Sequence, residues 1–262
     1  MSGRQHPHNY RASAPARSQT ARVVEDLGLS IVSGKQAQGS LLPGDSELLK
    51  RYGVSRTVLR EALKMLAGKG LVQAKARIGT RVRNRDTWNL FDPDVLVWHA
   101  RTGFGPEFLA HLGEMRLALE PDAAALAATR RTDEQLELMQ EAAARLGKAD
   151  ISHQEFVNAD LALHLTIAAA AHNPFFLSIS TLIEVALVAM MSIASPVSDP
   201  PRLRRSVADH KAIVNAIAAG NAERARRAML VVVQEGIDGA RGGSIRAPAP
   251  ALDPAVPQSG LA

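Results

Sequence analysis

The chain has 262 residues, 46% of them hydrophobic and 22% charged, with 31 Lys+Arg against 26 Asp+Glu. That much apolar side chain excludes wholesale disorder and suffices for one large domain or two ordinary ones. Cysteine is absent, which excludes disulfides, cysteine-based zinc fingers and a thiol nucleophile, and fits a reducing cytoplasm.

The charge is unevenly placed. Residues 1–85 carry 16 Lys+Arg against 5 Asp+Glu, a net +11, and residues 86–262 carry 15 against 21, a net −6. A basic front half on an acidic rear half points to a nucleic-acid reader joined to another module, or to a solvated basic face with no partner. The first residues show Arg4, His6, His8, Arg11 and Arg17 without an apolar core, so no secretory signal is expected. The apolar run from Val185 to Ala194 is shorter than the ~20 residues of a membrane span. The expectation is a soluble, cytoplasmic protein.

Residues 1–17 lack periodicity and read as a flexible basic arm. Val23, Val24, Leu27, Ile31 and Val32 recur at helical spacing, with Gly34 as a stop. A turn at Leu41-Leu42-Pro43-Gly44-Asp45 leads into a short helix from Ser46 to Arg51 with Leu48 and Leu49 inward. Tyr52-Gly53-Val54 is a tight turn and Ser55 an N-cap. The next helix, from about Arg56 to Gly68, buries Val58, Leu59, Ala62, Leu63 and Leu66. Two β-prone segments, 71–74 and 80–83, flank the basic Lys75-Ala76-Arg77-Ile78-Gly79. Helix, short helix, turn, longer helix and basic hairpin describe a winged helix-turn-helix over residues 18–84. Its second helix would enter the major groove by its N-terminal turn, bringing Ser55, Arg56, Thr57 and Arg60 to bases and phosphates, with Lys75 and Arg77 on the wing. Gly79 lets the hairpin tip turn tightly.

Residues 85–105 are short of regular pattern and read as a linker. Beyond them, Ala, Leu, Glu and Arg dominate, in six helical segments at about 106–128, 132–147, 151–171, 174–193, 202–219 and 221–239. Thr132 to Gln135 forms a capping-box pattern. The fold class is therefore mostly α: an N-terminal winged helix-turn-helix and, over 106–240, a C-terminal antiparallel helical bundle for ligand sensing and dimerisation. Residues 241–262, rich in Ala and Pro, read as a disordered tail.

Polar residues among apolar neighbours are the informative ones in this half. Asp160 and His164 are one helical turn apart on a face beside Leu161, Leu165 and Ala168. Such a pair is either half of a divalent-metal site or a structural hydrogen bond. His210, ahead of Ile213, Val214 and Ile217, is either a third ligand or a surface histidine. Arg116 can grip a carboxylate bidentately or pair with Glu120 four residues on. His99, His111, His153 and His172 have no comparable partners.

Leu42-Pro43-Gly44-Asp45-Ser46-Glu47-Leu48 and Tyr52-Gly53-Val54-Ser55-Arg56-Thr57-Val58-Leu59-Arg60-Glu61-Ala62-Leu63 resemble the DNA-binding domain of GntR-family transcriptional regulators. The resemblance implies operator contacts by Arg56, Thr57, Arg60 and Gly79. Many members carry an arginine at Ser46, so that contact is missing here or made by Lys50 or Arg51. Arg116 with Glu120-Pro121, Asp160 with His164, His172-Asn173-Pro174 and Asp209-His210-Lys211-Ala212-Ile213 resemble the FCD ligand-sensing domain of FadR-type members. In metal-binding members an Asp and three His hold a divalent cation such as zinc, and a small carboxylate completes its shell. Asp160, His164 and His210 match three of these ligands. The fourth falls near Val232, where the histidine is absent. The segment Trp88 to Trp98 is similar to that of sugar-acid regulators in the family, which also lack that histidine. The resemblance then implies that Arg116 holds the effector carboxylate, while Asp160, His164 and His210 hold hydroxyls or a metal.

The leading expectation is a homodimeric, ligand-responsive repressor on a short palindromic operator, and not an enzyme. A metal-dependent hydrolase or lyase using Asp160, His164 and His210 lacks a second acid/base pair, a phosphate loop and a nucleophile elbow. An architectural DNA binder with an inert helical domain would not need an internal pocket at those residues.

Overall fold

The computed structural model describes residues 18–103 and 105–242. The basic arm at 1–17 and the tail from 243 onward lie outside the described residues. The chain divides into two compact units between Asn89 and Leu90.

In the first unit, helix α1 (Gln19–Val32) starts where the Ser18 hydroxyl accepts from the Ala21 N–H at 3.1 Å. Helix α2 (Asp45–Tyr52) stops at Gly53, whose φ of 63° is the left-handed conformation that ends helices cheaply in glycine. Helix α3 (Arg56–Gly68) is capped by the Ser55 hydroxyl, accepting from Val58 N–H at 3.3 Å. Strands β1 (Val72–Lys75) and β2 (Gly79–Val82) pair antiparallel, Val72 opposite Val82 and Lys75 opposite Gly79, and Leu41 adds a bridge to Arg81. The structure is a winged helix-turn-helix around Val23, Leu27, Ile31, Leu48, Leu59, Leu66, Leu71 and Val82. Each large side chain fully buried there contributes about 1.5–3 kcal/mol. Leu49, Val58 and Leu63 are half-buried rather than inward, and Leu49 and Leu63 line a groove shared with Arg56 and Arg60.

Gly70 is where the backbone cannot tolerate a side chain. Its φ is +79°, and a Cβ there would lie 2.1 Å from the Thr87 carbonyl oxygen. Gly70→Ala combines left-handed strain of about 1–2 kcal/mol with a clash against backbone that cannot swing aside. Thermal denaturation is expected to show at least ~2 kcal/mol lost, and an unchanged melting curve would contradict the packing.

The second unit is all helical among the described residues. The expected linker is not irregular: it contains a 3-10 turn at Arg85–Thr87 and helix α4 (Pro93–Thr102). Asp92 caps α4 by accepting from the N–H groups of Asp94 and Val95, proline takes the first helical position, and Val95, Leu96 and Trp98 are buried. The Asp-Pro pair therefore starts a helix here rather than breaking one.

Six longer helices follow: α5 (Pro106–Arg130), α6 (Asp133–Leu146), α7 (His153–Ala170), α9 (Ser180–Ala194), α10 (Pro200–Ala218) and α11 (Ala222–Gly242). The fourth expected segment is split. Helix α8 (Pro174–Ser178) stops at Ile179, where α9 begins, and the Ser178 hydroxyl donates to the Pro174 carbonyl at 2.8 Å. Both α6 and α7 open with reciprocal capping boxes, Thr132 with Gln135 and Ser152 with Glu155. Helix α11 runs through Arg241 and Gly242, two residues assigned to the tail on sequence. The core gathers Met139, Leu146, Phe156, Leu163, Ile167, Ile213, Ile217, Met229 and Val233. Residues Ser180–Ser198 have a mean hydropathy of 1.7, which meets the length and composition of a membrane span. In the bundle, however, Leu182, Ile183, Val185, Leu187 and Met190 of this segment are buried against the other helices.

Candidate functional site

The first unit presents a basic face. Ser55, Arg56, Thr57 and Arg60 are all exposed at the N-terminal turns of α3. Arg56 and Arg60 share one side of the helix, and Leu59 turns into the core. Among the described residues Arg60 forms an ion pair only with its neighbour Glu61, at 3.8 Å, an interaction worth little in water. Lys75, Arg77 and Gly79 are exposed at the hairpin. The tip is Ala76-Arg77-Ile78, with Arg77 at φ 63° and Gly79 at φ 115°.

The second unit buries five ionisable side chains side by side: Arg116 and Glu120 from α5, Asp160 and His164 from α7, and His210 from α10. Helical spacing sets this arrangement, because Arg116/Glu120 and Asp160/His164 are both four residues apart and project from one face. Of the two readings open for Arg116, the internal pair is formed. Its Nε and Nη2 both donate to Glu120, the latter at 3.3 Å, and its Nη1 lies 3.4 Å from the Met190 sulfur. Glu120 in turn accepts from His164 Nδ1. His210 Nδ1 donates to the Ser206 carbonyl at 2.6 Å. Both imidazoles are thus held through Nδ1, leaving Nε2 to face inward.

Those inward atoms are unusual. His210 Nε2 lies 2.7 Å from Asp160 Oδ1, and His164 Nε2 lies 3.8 Å from the same oxygen. Neither approach has hydrogen-bond geometry: both Asp160 oxygens and both Nε2 atoms are buried without a hydrogen-bond partner. Burial drives the Asp160 carboxyl up, but His210, His164 and Arg116 more than offset this and hold it below its ordinary value. Burial likewise pulls His210 down, and Asp160 reverses it to a raised value. Burial raises Glu120 too, yet Arg116 and His164 leave it near 2. Two carboxylate oxygens and two imidazole nitrogens that converge without hydrogen-bond geometry are a donor set suited to a cation once the histidines are neutral. Asp160, His164 and His210 offer ligand atoms within 4.8 Å of one another, a donor set and second shell that fit a divalent ion such as zinc with positions left open.

The cluster opens into a pocket whose lining includes Arg116, Asp160, His164, Met190, Arg202, Ser206, Asp209, His210, Val232 and Glu235. All four effector residues picked out on sequence therefore meet in one place. Val232, near which the resemblance sets a fourth ligand, lines the same pocket. Sequence reasoning named Glu120 only as a partner for Arg116, and it missed Ser206, Arg202 and Glu235. Glu120 had a usable signal, being four residues from Arg116 in an otherwise apolar stretch. Arg202 and Glu235 had none, because an isolated charge on an amphipathic helix looks like a solvated one.

Comparison with known proteins agrees with this architecture. Residues 19–82 match the family described as bacterial regulatory proteins, gntR family, and residues 111–235 match the FCD domain. The galactonate operon transcriptional repressor of Escherichia coli K12 is 30% identical over 216 residues, covering 82% of this chain and 94% of that protein. The HTH-type transcriptional regulator LutR of Bacillus subtilis 168 is 32% identical over 200 residues, 73% of this chain and 90% of LutR. The HTH-type transcriptional repressor NanR of Escherichia coli K12 is 28% identical over 232 residues, 84% of each chain. The solved structure of Lar, described as controlling expression of the Listeria monocytogenes agr system, matches with a TM-score of 0.58 at 18% identity, over 87% of this chain and 99% of that one. At that identity the likeness speaks for the fold alone. The basic winged module, the helical pocket and these matches together place the chain in the GntR family of bacterial regulatory proteins, as an FCD-containing, DNA-binding transcriptional regulator and not an enzyme.

Proposed function

We propose that the protein represses an operon for catabolism of a sugar acid or related carboxylate and is released from its operator by that compound. The observation that carries the reading is the pocket itself: buried polar side chains with unsatisfied acceptors, in a domain that an inert dimerisation module would fill with apolar residues. Arg116, Asp160, His164 and His210 line the effector site, and the relative named for the galactonate operon supports a hydroxylated acid as ligand. Asp160, His164 and His210 hold one divalent ion, which supplies a Lewis-acid site for an effector oxygen.

On the DNA side, Arg56 and Arg60 read base edges, Ser55 and Thr57 meet phosphate, and Lys75, Arg77 and Gly79 follow the backbone from the wing. The protein acts in the cytoplasm as a homodimer, so a palindromic operator matches its two-fold symmetry. Effector binding shifts the regulator only if it favours one arrangement over the other, since equal affinity for both shifts nothing.

Gel-shift titration with the promoter region of the regulator's own operon tests both halves. Arg60→Ala is expected to weaken operator binding by about 1–3 kcal/mol while leaving ligand-induced thermal stabilisation intact. Galactonate, gluconate or a similar acid is expected to release wild-type protein, and their neutral sugars are not. Release by none of the acids would remove the sugar-acid reading, and undiminished binding by Arg60→Ala would remove the recognition-helix assignment.

A further inference from the structure

We propose that Arg202 is the anchor for the effector's carboxylate, and that Gly239 creates the space in which it sits. This rests on the effector-pocket reading above and moves the anionic contact away from Arg116.

Arg116 is poorly placed for that contact. Two of its nitrogens are committed to Glu120, and the third approaches the Met190 sulfur. Its charge is already neutralised by a carboxylate buried to the same depth, both side chains being 3% exposed. A second carboxylate arriving there meets almost no net attraction.

Arg202 lines the same pocket from α10, four residues before Ser206 and eight before His210, so all three share a face. Among the described residues, no carboxylate lies within ion-pair distance of its guanidinium. The head group instead reaches α11 by one nitrogen: a Cβ on Gly239 would stand 2.1 Å from Arg202 Nη2 and 3.1 Å from Cζ. One turn earlier on that helix, a Cβ on Gly236 would be 3.8 Å from Arg116 Nη1. The two arginine heads therefore lie along one face of α11, about 4.5 Å apart in axial rise between their glycines. One is neutralised and one is not. Half-buried and unpaired, Arg202 offers a planar fork for a charge-assisted, bidentate contact. Asp209 of α10 and Glu235 of α11 also line this pocket and supply acceptors, Glu235 lying 3.7 Å from Arg205. A cationic fork in a pocket also lined by carboxylates and the inward acceptors of the Asp160 cluster fits a ligand with one carboxylate and several hydroxyls.

Isothermal titration of the full-length wild type, Arg202→Ala, Arg202→Lys and Gly239→Ala with galactonate, gluconate and the neutral galactitol tests the assignment. Wild type is expected to prefer the acids to galactitol by tenfold or more. Arg202→Ala should lose that preference, and Arg202→Lys should recover part of it by keeping charge without the fork. Gly239→Ala should show a smaller loss of the same sign, since its methyl displaces the guanidinium at little cost to the fold. Zinc titration of the same variants reads the Asp160 cluster and should not change. Equal acid binding by wild type, Arg202→Ala and Gly239→Ala overturns the anchor and leaves the effector pocket standing. A wild type indifferent to every acid overturns the sugar-acid reading and the anchor together. If Arg202→Ala fails to fold, the Lys and Gly239 variants decide the matter by the same preference.

Discussion

Arg116→Ala is expected to cost the helical unit about 3–5 kcal/mol, measured as the change in its urea-unfolding transition. Net domain stabilities lie around 5–15 kcal/mol, so this single change removes a third or more of the typical margin. The loss does not measure what the Arg116–Glu120 pair contributes over an apolar pair, because desolvating both ions has already consumed much of their attraction. It measures the Glu120 carboxylate left 3% exposed with only His164 for company. Two further variants separate these quantities. Glu120→Ala strands the arginine instead and frees His164 Nδ1, with a loss of similar size. Arg116→Met combined with Glu120→Gln removes both charges while keeping volume and an acceptor for His164, and should recover more than half of either single loss. If Arg116→Ala costs under ~1 kcal/mol, the guanidinium is not buried against Glu120, and the inward orientation of both histidines loses its support.

That pair also marks the limit of what sequence could reveal. The winged unit was legible almost to the residue because each boundary has local chemistry: Ser55 as a cap, Gly53 at a left-handed position, Gly79 at the hairpin. The buried cluster was legible in its members, since Asp160, His164 and His210 interrupt apolar periodicity. Their meeting was not, because it depends on how α5, α7 and α10 pack. Local signals misled in two places. Residues 85–105 looked irregular, yet Asp92-Pro93 starts a helix there, and the segment expected as one helix from 174 to 193 divides at Ile179. Arg202 was invisible for a third reason: what distinguishes it is the missing side chain of Gly239, on the next helix and 37 residues farther along the chain.

Zinc added to metal-free protein is expected to raise the melting temperature of the helical unit. At a hundredfold excess over the dissociation constant, mass action contributes about 2.7 kcal/mol, or roughly 5–10 °C for a unit of this size. His164→Ala, His210→Ala and Asp160→Asn should each abolish the shift. The three differ in zinc-free stability, however, because each loses a different hydrogen bond or charge. Glu120→Gln should retain the shift but need about 10–100-fold more zinc, since its carboxylate orients His164 without being a ligand. Val232→His offers the complementary test, restoring a fourth nitrogen beside a pocket that Val232 already lines. It should tighten zinc binding if the cluster is a metal site with open positions, and do nothing if it is a closed hydrogen-bond network. A wild type that zinc leaves unmoved, with Val232→His equally inert, would mean that a shared proton rather than a cation joins Asp160 to His210.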